Sequence, residues 1–387
     1  MLRIDEDWLT RAATQRLFRA LETAGYQAYA VGGCVRDSLL RRPVNDIDFA
    51  TSARPVDVLS VAKEHGFHAV PTGIDHGTVT IVIDDVPHEV TTFRRDVATD
   101  GRRATIAFAD SILEDACRRD FTMNALYVDR QGNVLDPIGG LTDLKSRRIR
   151  FIENASERIR EDYLRSLRFF RFHAWYGDPK IGFDTDAMAA IAENLAGIAT
   201  LSRERIGAEI LKLLGADNPA PSVAGMRSTG VLGMILPGSE DYAVAPLVHL
   251  EAELGVTPDA MRRLAVLGGK HLRSRLRLSR KQTEKLKAIR SATELTGEEA
   301  GYRYGWEIVR DAILVRAATL GIPVDLKELQ SAQAAATRVF PLSAADLMPG
   351  LQGPALGAAL KDLEQHWIDS HFQLKLSELL ALASKDR

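Results

Sequence analysis

The chain has 387 residues, and a typical domain length of about 150 residues predicts roughly two to four domains. Hydrophobic residues make up 45% and charged residues 26%, a composition that is ordinary for globular proteins and excludes a wholly disordered chain. The net charge of −2 does not by itself indicate a partner.

The first predicted element is an amphipathic helix over residues 7–24, which we expect to end at Gly25. Short β-branched or aromatic runs then predict strands, and Asp84-Asp85 predicts a hairpin turn between two of them. Helical patterns at 34–41 and 55–65 separate the first strands. The predicted strands are Tyr29–Val31, Ile47–Ala50, Thr78–Ile83 and Glu89–Phe93. The first 150 residues therefore have the pattern of a mixed α/β domain.

Beyond Ser156 the chain is rich in Leu, Ala and Arg with helical periodicity, which predicts an all-helical region. Gly and Pro mark the expected breaks in it. These breaks are 177–179, 217–221, 237–238 and 348–354.

Local charge is more informative than the total. Between Arg262 and Arg290 eleven Lys or Arg residues stand against one acidic residue, Glu284, which gives a local charge of +10. Such a stretch is typical of a solvated helix face or of a surface that contacts a polyanion, and the residues alone leave both open.

The N-terminus and the cysteines restrict the cellular context. The acidic segment MLRIDEDW lacks the apolar core of a signal peptide, and no run approaches about 18 consecutive apolar residues, so we expect a cytoplasmic protein. Cys34 and Cys117 have neither CxxC spacing nor a His cluster. We expect both to be reduced structural thiols.

Asp46-Ile47-Asp48 is the sharpest local signal for chemistry. Alternate residues of a strand point to one face, so the two carboxylates are expected to converge. Two carboxylates with substrate phosphates completing the shell are a common magnesium site. A bare DxD also occurs often in surface turns, so the motif needs its context.

A glycine turn lies just upstream of these carboxylates. Gly32 and Gly33 follow a predicted strand and open a predicted helix, an arrangement that lets backbone N–H groups approach a phosphate. Arg36, one turn into the helix, is placed to hold the same phosphates. An ordinary strand-to-helix turn would have the same pattern.

Together these segments resemble the opening motif of the class II tRNA nucleotidyltransferases and bacterial poly(A) polymerases, which are polymerase-β-like nucleotidyltransferases. Four further segments resemble that family's ribose-selecting motif, head-to-neck hinge, nucleotide-templating motif and neck-helix motif, in that order. They are 118–125 (RRDFTMNA), 136–144 (DPIGG with Asp143-Leu144), 161–165 (EDYLR) and 202–209 (SRERI with Glu209).

The chemistry of these residues agrees with the roles that the resemblance implies. Arg119 can hold a nucleotide while the Asp120 carboxylate accepts a hydrogen bond from a ribose 2′-hydroxyl. On the predicted helix, Asp162 and Arg165 are neighbours three residues apart, so a carboxylate and a guanidinium can address a base edge. Arg168 and Arg171 follow on later turns of the same predicted helix, where their charges can reach a triphosphate. Surface ion pairs would be the alternative interpretation of each pair.

Three further positions extend or depart from the pattern. Glu89 is the candidate for a third active-site carboxylate on the neighbouring strand, although a strand Glu is more often simply solvated. The polar segment from Asp100 to Arg103 resembles the family's flexible loop. The family commonly places Gly after the Leu pair, where this chain has Arg41.

The resemblance implies an α/β head followed by an all-α neck, body and tail. The implied domains are a catalytic head (1–150), a nucleotide-selecting neck (151–215), an RNA-binding body (216–290) and a tRNA-binding tail (291–387). Within the basic stretch, Leu278-Ser279-Arg280-Lys281-Gln282 predicts a capping box that opens a helix facing RNA phosphates.

The implied activity is Mg²⁺-dependent addition of C, C and A to the 3′ end of tRNA from CTP and ATP, with release of pyrophosphate. Poly(A) polymerase and partial CC- or A-adding enzymes of the same family are the rivals. The segment 72–79 (TGIDHGTV) favours tRNA. A non-catalytic RNA-binding scaffold is the rival from another class, and the intact Asp46, Asp48 and Arg119-Asp120 argue against it.

Overall fold

The computed structural model describes residues 2–100, 103–348 and 350–385. The chain divides into two compact units. The first unit comprises the residues up to Leu213 together with Pro221–Pro237, and the second comprises Leu214–Ala220 together with the residues from Gly238 onward. No helix in the described ranges is long and apolar enough to cross a membrane.

The first unit contains the strands of the described part of the chain. They are β1 Ala28–Val31, β2 Asp48–Thr51, β3 His68–Gly73, β4 Thr78–Ile83, β5 Val86–Thr92, β6 Arg94–Asp100, β7 Arg103–Phe108, β8 Tyr127–Val128 and β9 Val134–Leu135. Seven of them form a mixed sheet in the order β3-β4-β5-β2-β1-β8-β9, and β6 pairs with β7 in a separate hairpin. The predicted strands are confirmed: Thr78–Ile83 has the predicted bounds, and the bounds of the other three shift by at most three residues.

The hairpin turn predicted at Asp84-Asp85 is confirmed. Both residues have positive φ, 50° and 61°, and Ile83 pairs with Val86 across the turn. Two consecutive residues with positive φ match the right-handed twist of a tight hairpin. The turn therefore sets the register of β4 against β5.

Short helices surround this sheet. They are α1 Asp7–Thr10, α2 Ala12–Thr23, α3 Gly33–Leu39, α4 Pro55–Glu64, α5 Ile112–Cys117 and α6 Gly140–Lys145. The single N-terminal helix predicted over 7–24 is wrong in one respect, because the backbone breaks at Arg11, where ψ is 135°. The break turns Ala13 and Thr14 inward and leaves Ala12 exposed. Phe18 of α2 contacts Phe49 of β2 at 4.6 Å between ring centroids, which packs the helix on the sheet.

The helical region that follows the sheet begins at α7, as predicted. Its helices are α7 Ala155–Glu161, α8 Leu164–Tyr176, α9 Thr185–Glu193, α10 Arg203–Leu214, α11 Ala220–Ser228 and α12 Val231–Ile235. The aromatic face of α8 packs Phe169 and Phe172 around Phe121, which follows α5. This packing joins α8 to the segment between α5 and β8.

The second unit is helical throughout its described residues. Its helices are α13 Val244–Glu253, α14 Ala260–Leu267, α15 Leu272–Arg275, α16 Arg280–Ala292, α17 Gly297–Tyr304, α18 Trp306–Leu320, α19 Leu326–Ala335, α20 Ala344–Leu347, α21 Gly353–Asp369 and α22 Leu376–Lys385. The capping box at Ser279 is confirmed, because Ser279 Oγ accepts from the N–H of Gln282 and Gln282 Oε1 accepts from the N–H of Ser279.

Part of the basic stretch is structural rather than exposed. Arg262 and Arg263 are 0% and 1% exposed, so for these two the expectation of a solvated or RNA-facing surface is wrong. Arg262 donates to Glu251 and Asp311, and Arg263 donates to Glu251 and to backbone carbonyls. Buried charges require such partners because desolvation of an unpaired ion is very costly. The stretch therefore has a buried part and an exposed part.

Candidate active site

A cavity of about 600 Å³ in the first unit gathers most of the predicted site residues. Its lining is dominated by arginines and aspartates from β2, α3, α8, α10 and the segment after α5. The lining comprises Gly32, Gly33, Arg36, Asp46, Asp48, Arg118, Arg119, Asp120, Asn124, Asp162, Leu164, Arg165, Arg168, Arg171, Phe172 and Arg205. Residues that lie more than 100 positions apart therefore share one concave surface.

Asp46 and Asp48 lie together at the start of β2, with the side chain of Ile47 buried between them. Glu89 occupies the neighbouring position on β5, in parallel register with Asp48. Burial, together with the charges of Glu89 and Asp46, raises the pKa of Asp48 to about 6 against the opposing charge of Arg119. This crowding of carboxylates is a position where a cation would be stabilised.

The donor set fits a magnesium ion that receives its remaining ligands from substrate and water. Within the described ranges, no three Asp, Glu, His or Cys side chains lie close enough to hold a metal among themselves. Asp46 and Asp48 as metal ligands, and Glu89 as a third carboxylate, stay predictions.

The glycine turn adopts a conformation that favours glycine. Gly32 has φ of 74° and ψ of −115° and precedes α3. A Cβ atom there would lie 3.5 Å from Nη1 of Arg119, so the turn brings backbone close to that guanidinium. Residues other than glycine rarely adopt this φ. The turn thus exposes backbone to the cavity beside Asp48.

Arg36 is buried and held by protein groups. Its guanidinium donates to Asn124 Oδ1 at 2.6 Å, to Tyr176 Oη at 2.7 Å and to Asp37. The ring of Tyr176 also lies 4.1 Å from the guanidinium carbon. Arg36 lines the cavity, but in this structure it connects α3 to α8; a phosphate contact stays a prediction.

Arg119 is fixed by a buried acid and a phenol. It donates to Asp115 Oδ2 at 2.9 Å and to Tyr127 Oη at 3.1 Å, and Tyr127 in turn donates to Asp115. Burial would raise the pKa of Asp115, but the charges of Arg119 and Arg118 and the hydrogen bonds lower it well below its usual range. Asp115 is therefore ionised and holds Arg119 beside the glycine turn.

Asp120 faces the cavity with both oxygens engaged. Oδ1 accepts from the N–H of Phe121 and from Asn124, and Oδ2 accepts from Arg168. Burial raises the pKa of Asp120, but the charge of Arg168 and these hydrogen bonds bring it down to about 2. Its ribose contact stays a prediction, and the low pKa favours the ionised carboxylate at this position.

The arrangement predicted for Asp162 and Arg165 on one helix is wrong. Asp162 ends α7 with extended backbone angles, φ −152° and ψ 104°, and Arg165 belongs to α8. Asp162 accepts from Arg205 at 2.6 Å, whereas Arg165 is paired with Glu161. At the break, Tyr163 packs against Gly197, where a Cβ would lie 2.0 Å from its ring, and Asp162 Oδ1 accepts from the N–H of Leu164 at the start of α8. Both side chains nevertheless line the same cavity.

Arg168 and Arg171 continue along the cavity face of α8, as predicted. Arg168 is paired with Asp120 and Arg171 with Glu209 of α10. The ring of Phe172 lies 5.3 Å and 4.6 Å from their guanidinium carbons. The two charges are thus held in place before any ligand binds.

Two segments outside the cavity also show how the motifs fold. In the hinge-like segment, a Cβ on Gly140 would lie 2.1 Å from the carbonyl oxygen of Thr122, so only glycine fits. In place of the family's glycine, Arg41 adopts a positive φ of 55°. The loop predicted between Asp100 and Arg103 includes Gly101 and Arg102, which lie outside the described residues.

Sequence reasoning missed several residues that complete the site. Asp115 and Tyr127 hold Arg119, Asn124 and Tyr176 hold Arg36, and Arg205 holds Asp162. The i,i+4 spacing of Asp115 and Arg119 was the available signal. The other pairs lie eight or more positions apart and are formed only by the fold.

A larger cavity of about 750 Å³ lies in the same unit, away from the carboxylates. Its prominent charges are paired with one another, Arg148 with Asp184 and Arg150 with Asp143. It gathers none of the predicted site residues. The cavity of about 600 Å³ is therefore the candidate active site.

Comparison with known proteins identifies the family of the chain. Residues 28–150 match the poly A polymerase head domain, and residues 182–242 match a probable RNA and SrmB-binding site of polymerase A. The chain is 34% identical to a CCA-adding enzyme of Limosilactobacillus fermentum, over 94% of both chains. It is 32% identical to the mitochondrial CCA tRNA nucleotidyltransferase 1 of Mus musculus, over 92% of this chain and 86% of that one.

A solved structure of the Bacillus stearothermophilus CCA-adding enzyme in complex with CTP superimposes with a TM-score of 0.74 and 29% identity, covering 97% of each chain. The sheet, the helical region and these matches define a nucleotidyltransferase with a polymerase-β-like head and an all-helical remainder. Within that class, the chain belongs to the family of CCA-adding enzymes, the class II tRNA nucleotidyltransferases.

Proposed function

We propose that this protein adds C, C and A to the 3′ end of tRNA from CTP and ATP and releases pyrophosphate. The observation that carries the proposal is one cavity in which Asp46 and Asp48 face seven arginines, within a chain that matches a CCA-adding enzyme along 94% of its length. Carboxylates for a cation beside a dense arginine cluster suit a nucleoside triphosphate.

In the proposed mechanism, Asp46 and Asp48 hold Mg²⁺. When bound there, the ion supplies positive charge that favours the ionised acceptor hydroxyl and neutralises the transferred phosphate. The 3′-oxygen of the acceptor forms a bond to the α-phosphorus, the bond from that phosphorus to the bridging oxygen breaks, and pyrophosphate leaves. Catalysis of this kind depends mainly on positioning and charge neutralisation.

The arginines neutralise and orient the triphosphate. Arg119 is held by Asp115 beside the glycine turn, and Arg168 and Arg171 are held by Asp120 and Glu209. Side chains that are locked by partners lose little freedom when they bind a ligand, so the triphosphate meets a prearranged surface. Among the arginines of the cavity, Arg119 is the one whose charge lowers the pKa of Asp48.

Asp162 and Arg165 select the base. Asp162, at the end of α7, offers a carboxylate acceptor to the cavity, and Arg165, in α8, offers a guanidinium donor to the same cavity. Hydrogen bonds of matched pattern discriminate strongly between bases, because a wrong base leaves polar groups unpaired. Protein side chains would therefore take the place of a nucleic-acid template.

The exposed part of the basic stretch contacts the RNA backbone. Lys270, Arg273, Arg280, Lys281 and Lys287 are exposed, and in the described part of the chain no ion pair is found for any of them. When surface cations bind the phosphates of a nucleic acid, counterions are released from the nucleic acid, and this release favours binding. A variant in which Lys270, Arg273, Arg280 and Lys281 are all replaced by Ser should bind tRNA more weakly. Its affinity for tRNA should also depend less on the salt concentration.

The deciding experiment incubates the purified protein and Mg²⁺ with tRNA that lacks its 3′ CCA. CTP alone should add two residues, and CTP with ATP should add three. ATP alone giving a long tail would indicate a poly(A) polymerase, and growth that stops after CC or adds only A would indicate a partial enzyme. No incorporation under any condition would indicate a non-catalytic scaffold and contradict the proposal.

Asp46→Ala and Asp48→Ala are the controls for the carboxylates. Loss of a metal ligand removes several kcal/mol of transition-state stabilisation, so incorporation should fall about a thousandfold or more. Chelation of Mg²⁺ should have the same effect on the wild type. A folded Asp48→Ala protein with near-normal activity would contradict the assignment of the carboxylates.

A further inference from the structure

Tyr176, the last residue of α8, is buried beside the candidate active site, but it is not among the described residues that line the cavity. Its hydroxyl accepts a hydrogen bond from Nη2 of Arg36 at 2.7 Å, and its ring lies 4.1 Å from the guanidinium carbon of that arginine. Arg36 itself lines the cavity. Any effect of Tyr176 on a bound ligand is therefore transmitted by a neighbour such as Arg36.

The guanidinium of Arg36 is almost fully engaged by protein groups. Asp37 accepts from Nε at 3.0 Å and from Nη2 at 2.9 Å, Asn124 Oδ1 accepts from Nη1 at 2.6 Å, and Tyr176 completes the set. A guanidinium has five N–H groups, so the four bonds found within the described residues leave one N–H, on Nη1, for a ligand. The direction of that last N–H is therefore set by the other four.

Tyr176 differs from the other two partners in its place in the fold. Asp37 is the next residue of α3, and Asn124 lies in the segment just before β8. Tyr176 instead belongs to α8, the helix that also carries Arg168 and Arg171 along the cavity. Its hydrogen bond thus fixes the arginine that follows the glycine turn relative to the two arginines of α8.

An aromatic pair supports this arrangement. The rings of Phe172 and Tyr176 lie 5.3 Å apart, with 49° between their planes. Three arginines of the cavity have their guanidinium carbons 5.2, 5.3 and 4.6 Å from the ring of Phe172, and they are Arg36, Arg168 and Arg171. Because the face of an aromatic ring attracts cations, the pair stabilises like charges that repel one another. The arginines are thus arranged around these rings before a nucleotide binds.

We infer that Tyr176 is a positioning residue for the triphosphate, because its hydroxyl holds the guanidinium of Arg36 in the orientation that binds a phosphate of the incoming nucleotide. A side chain that is already held loses little freedom on binding, so loss of the hydroxyl weakens every nucleotide by a similar factor, whatever its base. A bond that kept Arg36 away from the phosphate would act in the opposite direction. The inference rests on the proposed function, since the nucleotide is the substrate of the same reaction.

The first test is Tyr176→Phe, which removes the hydroxyl and keeps the ring. The KM for CTP and the KM for ATP should both rise about three- to tenfold, whereas kcat and the KM for the acceptor tRNA should change less than about twofold. Tyr302→Phe is the matched control, because the hydroxyl of Tyr302 also bonds a charged side chain, Glu364 at 2.6 Å, but lies in the second unit. The control should change none of these constants.

A double-mutant cycle shows whether the effect passes through Arg36. Arg36→Met removes the guanidinium, so the addition of Tyr176→Phe to that variant should change the KM for CTP by less than about twofold. If Tyr176→Phe raises the KM by the same factor with and without the guanidinium, the hydroxyl acts by another route and the positioning role is contradicted. A KM for CTP that falls or stays unchanged in Tyr176→Phe alone would contradict it as well.

Equilibrium binding distinguishes failure of this inference from failure of the proposed function. The Kd for CTP is measured with Mg²⁺ and without an acceptor, so that the measurement needs no turnover, and it should rise in Tyr176→Phe by the same factor as the KM. If the wild type adds C, C and A but the Kd is the same in both proteins, the positioning role is wrong and the function stands. If the wild type incorporates no nucleotide but Tyr176→Phe weakens CTP binding, the proposed function fails and the positioning role stands.

Discussion

Arg168 donates a hydrogen bond from Nε to Oδ2 of Asp120 at 2.7 Å, and its Nη2 forms an ion pair with the same oxygen at 2.6 Å. The pair joins the segment after α5 to α8 at the wall of the active-site cavity. It keeps an ionised carboxylate where the resemblance places the ribose of the incoming nucleotide. This relationship makes ribose selection testable.

Asp120→Ala should weaken discrimination against deoxynucleotides. A hydrogen bond from the ribose 2′-hydroxyl to a charged acceptor contributes about 1.5–3 kcal/mol, so the ratio of kcat/KM for CTP over dCTP should fall about tenfold or more. Arg171→Ala should lower both values and leave their ratio unchanged. An unchanged ratio in Asp120→Ala would contradict the ribose contact.

Asp115→Asn should impair both stability and nucleotide binding. The change leaves the half-buried Arg119 without its ionic partner, so we expect the free energy of unfolding to fall by about 3–5 kcal/mol and the KM for CTP to rise. Tyr127→Phe, which removes one hydroxyl from the same network, should cost about 1–1.5 kcal/mol. Denaturant unfolding and steady-state kinetics measure the two effects, and a normal KM in folded Asp115→Asn would contradict the positioning of Arg119.

Arg41→Gly should stabilise the protein. Arg41 occupies the left-handed position after α3, where its N–H donates to Ser38 O and the N–H of Arg42 donates to Asp37 O, the pattern of a helix end that prefers glycine. Relief of the left-handed conformation should add about 1 kcal/mol and raise Tm by about 1–3 °C. Arg41→Ala is the control, since it removes the charge and keeps the strain. Equal Tm values for the two variants would contradict this explanation.

His173 should make the first unit less stable as the pH falls. Burial lowers the pKa of His173 to about 4, and its Nδ1 is hydrogen-bonded to Ser222. Between pH 6.5 and 4 the unfolded chain binds a proton that the folded chain does not, so stability decreases as the pH falls through this window, by about 2–3 kcal/mol in all. His173→Gln should lose this component. If the prediction is wrong, the difference in unfolding free energy between the wild type and His173→Gln will stay constant from pH 7 to pH 4.

Much of the fold could be predicted from sequence because its core strands are short β-branched or aromatic runs, such as Thr78–Ile83, in which buried residues alternate with partly buried ones. Strand β3 was missed because most of its side chains are exposed and carry no apolar alternation. The carboxylate pair was selected because its spacing places both groups on one face of a strand and the neighbouring motifs supply the context. The break between α7 and α8 was missed because the spacing of Asp162 and Arg165 fits one continuous helix, whereas Asp162 instead accepts from the N–H of Leu164 at the start of α8.

Charge in the sequence was a weaker guide than spacing. The basic stretch gives no sign that Arg262 and Arg263 are buried, since their partners Glu251 and Asp311 lie 11 or more positions away. Likewise, Asp162 could be selected by its motif but not matched to Arg205, 43 positions later. Ion pairs between distant residues follow from the fold and cannot be derived from local patterns.

The central claim is that protein side chains choose the nucleotide, and kcat/KM for each of the four nucleotides tests it most directly. The acceptor is tRNA that ends in its discriminator base, and the proteins are the wild type, Asp162→Ala, Arg165→Ala and Arg171→Ala. Asp162→Ala and Arg165→Ala should admit UTP or GTP, because the base edge loses its matched partners, whereas Arg171→Ala should lower all four values together. If Arg165→Ala instead lowers all four by the same factor, the residue is only an electrostatic clamp and the claim is contradicted.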